Sequence, residues 1–154
     1  MFGVFALGVL VFAAMAVRAE AKEEPIILAL LSAMLGAQLL TEASRGLVSY
    51  PYPLHDVRLI GIVASAYGVS LALMALTLKR FTDFTARTRL IGLGLGALII
   101  LVPAFHSAGF DGKTLGILTV TLILCALVSA YGGLKGQRTA LVFAVGLAIS
   151  ALVA

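Results

Sequence analysis

Tryptophan is absent from this chain of 154 residues, cysteine occurs once and histidine twice. The lone Cys125 excludes an intrachain disulfide. No ligand set stands near it in sequence, which also excludes a redox pair or a zinc ribbon. Charge is scarce as well: 12% of residues carry one, against roughly 25% in soluble domains. With a mean hydropathy of +1.14, a soluble globular domain is excluded. No nucleophile elbow, phosphate-binding loop or HExxH spacing occurs, so nothing points to hydrolytic, phosphoryl-transfer or zinc chemistry. Only Tyr and Phe are left to serve as aromatic anchors at a membrane interface.

What the chain has instead is long apolar runs. Six emerge, at Phe2–Val17, Pro25–Val48, Val57–Leu78, Leu90–Phe105, Leu115–Leu134 and Thr139–Val153. Each approaches the roughly 20 residues a helix needs to cross a bilayer. They are continuous rather than alternating, which excludes a membrane β-barrel. The expectation is an all-α, polytopic transmembrane bundle of about six helices, forming a single domain over 1–154. Pro25 suits the first turn of its helix, where the missing N–H costs nothing.

The net charge of +4 reports topology before it reports partners, and it does not imply nucleic acid. With alternating crossings, one side receives Arg18, Lys22, Lys79, Arg80, Arg87, Arg89, Lys135 and Arg138. The other receives only Arg45, Arg58 and Lys113. Positive residues stay inside, so the first set is expected in the cytoplasm and the N-terminus outside. The opening run is expected to stay in the membrane. A signal peptide carries its positive charge before the apolar stretch, and here Arg18 and Lys22 follow it. Met1 opens almost directly into an apolar run and Ala154 closes inside one, so a segment of a longer chain is expected.

Polar residues in such a chain need a reason. Gln38, Glu42 and Arg45 share one helix face by their spacing. A carboxylate near the membrane is expensive, so Glu42 is expected to face the bundle and pair with Arg45 or Arg58. "SYPYPLHDVR", Ser49 to Arg58, reads as the outer loop, with Pro51 and Pro53 holding it extended. Tyr50 and Tyr52 would lie at headgroup level, and helix would begin around His55, Asp56 and Arg58. His106 ends the fourth run on the same side, so the two imidazoles could approach each other. Ordinary interfacial hydrogen bonds and a pH response are the alternatives for them. No metal or other cofactor is implied. In "IGLGLGAL", Gly92 and Gly96 stand at small-xxx-small spacing, which suits either packing within the bundle or a homodimer seam. Pro103 is expected to kink or loosen its helix. "KRFTDFTARTR", Lys79 to Arg89, suits a loop lying at acidic headgroups or a surface for a cytoplasmic partner.

The order of these features resembles the 7TMR-DISM family, seven-helix membrane sensor modules with diverse intracellular signalling domains. The resemblance lies in "FGVFALGVLVFAAMAVRAE", "LLTEASRGLVSYPYPLHDVRL", "LKRFTDFTARTR" and "KGQRTALVFAVGLAIS". It implies a sensory input module of a bacterial inner membrane. The output, such as a histidine kinase or diguanylate cyclase, would follow a seventh helix that this sequence lacks. A ligand would then bind on the outer face among Glu42, Arg45, Tyr50, Tyr52, His55, Arg58 and His106. Two rival readings stand beside it. One is a small transporter or channel lined by Gln38 and Glu42. The other is a non-enzymatic accessory subunit of a larger membrane complex. A membrane enzyme ranks last, because no site has the required groups.

Overall fold

Hydropathic runs become helices in the computed structural model, which describes residues 2–19, 22–47, 52–106 and 109–153, with side chains over 3–19, 22–43, 55–106 and 109–153. Among the described residues six helices follow in order: α1 Phe2–Arg18, α2 Glu23–Leu47, α3 Tyr52–Phe81, α4 Ala86–His106, α5 Phe110–Leu134 and α6 Arg138–Val153. No strand occurs among the described residues. Among the described residues, four helices contain stretches long and apolar enough to cross a bilayer: Glu23–Ala43, His55–Phe81, Ala86–His106 and Phe110–Leu134. The apolar α1 and α6 are shorter, at 17 and 16 residues. Large apolar side chains such as Leu10, Leu30, Ile60, Leu98, Leu127 and Leu152 are exposed. Buried positions include Ser70, Thr77, Thr121 and Ser129. Large apolar side chains on the outside and hydroxyls among the apolar residues inside fit a lipid solvent.

The helix ends follow from local chemistry. α2 begins with Glu23 and Glu24 beside Pro25. The acids complement the positive end of the helix dipole, and proline occupies a turn whose N–H groups are unused. α4 begins after Thr85, whose hydroxyl accepts the Thr88 backbone N–H at 3.3 Å, while the Thr85 carbonyl accepts from Arg89 N–H at 2.9 Å. That is an N-cap. α5 ends in a Schellman turn. Gln137 N–H reaches back to the Gly132 carbonyl and Gly136 N–H to that of Gly133. Gly136 adopts φ 95°, a conformation that penalises any side chain.

Chain packing divides into two compact units, Met1–Ala72 and Leu73–Ala154. In the first, α1 lies along α2, and Gly8 leaves room for Ser32, whose Oγ stands 3.1 Å from where a Cβ would be. α2 meets α3 through two further glycines. Gly68 lies directly under the Met34 thioether and Gly61 faces the Thr41 methyl. Ala66, Val69 and Ser70 are buried here.

The second unit is built around α5, which packs on α4 and on α6. Ile117, Thr121, Cys125, Ser129 and Gly132 form its buried stripe, nearly all at the four-residue spacing of one helix face. Met74, Leu78 and Cys125 make the core, with Leu73, Leu93, Leu124, Val128 and Leu147 packed against them. The tightest approach is at Gly132. A Cβ there would stand 2.6 Å from the Phe81 carbonyl oxygen and 3.3 Å from the Ala140 Cβ. Phe81 also stacks on Phe143 at 5.3 Å between centroids, which ties the end of α3 to α6.

Three expectations change. The helix expected to begin around His55 begins earlier, at Tyr52, so the extended loop is shorter than expected. Pro53 is then the second residue of α3, where proline costs no hydrogen bond. Pro51 and Tyr50 lie outside the described residues. The fifth helix also starts before its apolar run, at Phe110 rather than Leu115. Gly109 supplies the extended N-cap backbone and accepts from Lys113 N–H, and Asp111 sits in the first turn, where its charge favours the helix. Finally, the basic segment read as an 11-residue loop shrinks to 82–85, because α3 runs on to Phe81 and α4 starts at Ala86.

Candidate functional site

Two polar regions stand out, one in each unit. In the first unit, the Thr41–Gly61 contact sets the last turns of α2 beside the first turns of α3. Glu42 and Arg45 follow Thr41 on α2, and Arg58 and His55 precede Gly61 by one and two turns on α3. The two helix ends are therefore brought together. Within that region Glu42 departs from expectation. Its side chain is exposed, and Gln38 Nε2 donates to Oε1 at 3.4 Å. The stretch of α2 apolar enough to cross a bilayer ends at Ala43, so the carboxylate lies next to the end of that stretch. His55 and Arg58 are half-buried, and Asp56 is exposed. The side chains of Arg45 and Tyr52, like Tyr50 itself, lie outside the described residues.

His106 belongs to the second unit. It ends α4, is exposed, and its Nδ1 stands 3.4 Å from the Val102 carbonyl. α4 continues for one turn past Pro103, whose ring packs on α5 at Gly116; a Cβ on Gly116 would lie 2.7 Å from the Pro103 Cβ. Gly92 and Gly96 are both used inside the chain. Gly92 faces Leu78 and Gly96 faces Met74, while Gly94 has nothing within 4 Å.

The opposite end of the second unit gathers the C-termini of α3 and α5 with the N-termini of α4 and α6. Its cations are Lys79, Arg80, Arg87, Arg89, Lys135 and Arg138, against the single acid Asp83. Aromatic contacts hold the end together. Phe84, in the α3–α4 connection, packs on Tyr131 at 5.8 Å, and the Lys135 ammonium lies 4.9 Å from the centroid of the same tyrosine ring. A hydrogen bond to the Tyr131 hydroxyl holds the Lys135 ammonium above the usual lysine range. Thr82 bonds back to the Leu78 carbonyl, closing the last turn of α3.

The remaining hydroxyls fall into two sets: those of Ser70 and Ser129 are buried without a hydrogen-bond partner, and six others bond within their own helix. Thr41, Ser65, Thr77, Thr114, Thr121 and Ser150 each donate to the carbonyl four residues earlier in their own helix, at 2.7 to 3.0 Å. This is how a hydroxyl satisfies itself without water.

Sequence reasoning missed Thr41, Gly61, Gly116 and Gly132. Each is an ordinary residue until its neighbour on another helix is known. The Thr85 cap could have been found, since a Thr three residues before Thr88 at the start of an apolar run is a helix-start signal. Compared with protein-family models, with curated proteins and with solved structures, the chain matches none.

Proposed function

We propose that this chain is a polytopic membrane module with its N-terminus outside, which receives a stimulus at the outer or lipid-facing end and relays it to the basic cytoplasmic end. This makes it similar in role to the seven-helix sensor modules. The observation that carries the reading is α3. One helix of 30 residues bears His55 and Arg58 in its first turns and Lys79 and Arg80 in its last. A helix of that length runs about 45 Å, more than a hydrocarbon core of about 30 Å. Glu42, Arg45, His55 and Arg58 form the receiving end. The segment Lys79–Arg89, drawn onto α5 by Phe84, forms the end that an output domain or partner would read. A stimulus acts only if it binds two arrangements of this end differently.

Two measurements test it. For topology, single cysteines replace Ala86 and Gly109 in a Cys125→Ala background, and intact cells receive a membrane-impermeant maleimide. Gly109→Cys is expected to label and Ala86→Cys to stay protected; the reverse pattern overturns the orientation. For relay, the labelling rate of Ala86→Cys is followed in nanodiscs with Glu42→Gln, His55→Ala or Arg58→Ala added. At least one is expected to change the rate by about fivefold, the lower range of ordinary coupling between sites. Unchanged rates in all three would refute the relay.

A further inference from the structure

α5 and α6 enclose an apolar groove of about 550 Å³, lined by Ile123, Ala126 and Ala130 from α5 and by Ala144, Ala148 and Leu152 from α6, among others. All the lining side chains are hydrocarbon. On α6 the lining runs from Leu141 to Leu152, about 16 Å of helix and close to half the thickness of a hydrocarbon core. The volume falls within the range of small-molecule sites, roughly 300–1,000 Å³. Its length and its wall of methyl groups suit one acyl chain from one leaflet.

The groove has one charged end. Ala130 and Leu141 lie next to the α5–α6 turn, which carries Lys135 and Arg138, both exposed. After Asp111 the sequence contains no acidic residue. Cations at the end of an acyl-sized groove complement an anionic headgroup, and the single acid near them is Asp83 of the α3–α4 connection, close enough to act on Lys135. We propose that this hairpin binds an anionic phospholipid, its phosphate at Lys135 and Arg138 and one acyl chain along the alanine-lined groove. The proposal rests on the membrane reading above. Basic residues at a membrane surface attract acidic lipids in general. Here the groove adds a fixed place for the chain, and that separates a site from a diffuse cloud of lipid.

The test uses the whole chain, purified in mild detergent, stripped of lipid and titrated with phosphatidylglycerol or phosphatidylcholine of the same acyl composition. Bound lipid is counted by native mass spectrometry. Phosphatidylglycerol is expected to be retained about tenfold better. Lys135→Ala/Arg138→Ala should remove that preference. Arg80→Ala/Arg87→Ala, which deletes two exposed cations of the same end, should leave it. Ala148→Phe, at an exposed groove position, should lower retention of both lipids, and continued protection of the Cys125 thiol shows that each variant is folded. Equal binding of the two lipids overturns the proposal. So does an equal loss in both double variants, which would mean diffuse attraction, and so does a lipid-free dimer that fills the groove with a second copy. Extraction of the native membranes with alkaline carbonate separates the two failures. Release of the protein defeats the membrane reading itself, whereas retention without lipid preference defeats only the site.

Discussion

Replacing Gly132 by alanine should be the most damaging single-methyl addition described for the second unit. The new Cβ would meet the Phe81 carbonyl oxygen at 2.6 Å, the Phe81 Cβ at 3.1 Å and the Ala140 Cβ at 3.3 Å. The first of these is backbone and cannot rotate away. α3, α5 and α6 must therefore part, and the Phe81–Phe143 stack loosens with them. Overpacking of this kind costs about 1–3 kcal/mol, and a site hemmed in by backbone belongs at the top of that range. Alanine returns about 1 kcal/mol through its better helix propensity. The net loss is about 2 kcal/mol, roughly a thirtyfold fall in the folded-to-unfolded ratio. For a domain of this size that corresponds to about 4–8 °C in Tm. Cys125 supplies the assay. It is the only thiol in the chain and is fully buried, so a thiol-reactive dye in detergent reports unfolding at one position. Gly94→Ala is the control, because nothing lies within 4 Å of its Cβ position and the propensity gain of about 1 kcal/mol is unopposed. The reasoning fails if Gly132→Ala melts at or above the parent, or if Gly94→Ala falls as far.

Two further outcomes follow from the same geometry. Gly116→Ala should cost about 1–2 kcal/mol, because the opposing Pro103 ring is rigid, whereas Gly68→Ala should stay within about 0.5 kcal/mol, because the Met34 thioether can swing aside; the thiol melt ranks the pair. Thr85→Ala removes the cap on Thr88 N–H and should lose about 1 kcal/mol, while Thr85→Asp should restore it, read by the same melt and by far-ultraviolet circular dichroism.

Much of this architecture is legible in hydropathy alone, because each apolar run in a lipid solvent must satisfy its own backbone and does so as a helix. Apart from Val48, which lies outside the described residues, all six runs lie within helices. The boundaries are less legible, for a physical reason. Hydropathy reads polarity, whereas a helix end is set by hydrogen bonds. Tyr52 and Pro53 already belong to α3, and Asp111 and Lys113 are polar yet belong to α5. The glycines show a second limit. "GLGLG" announces close packing, but nothing in it says that Gly92 and Gly96 face α3 while Gly94 stands open. Of the candidate site, the approach of the last turns of α2 to the first turns of α3, at Thr41 and Gly61, follows from two consecutive helices joined by a short connection. The exposure of Glu42 does not, because it depends on where the spanning part of α2 stops.

The Pro103–Gly116 contact carries a consequence for the history of such a sequence. A proline ring pressed onto bare backbone leaves each position hostage to the other. Among descendants of this chain, a side chain at 116 should appear only where 103 has already ceased to be proline. The Met34–Gly68 pair, held by a side chain that can give way, should drift independently. Comparing substitution patterns at these two pairs would therefore distinguish rigid from compliant contacts without any measurement on the protein itself.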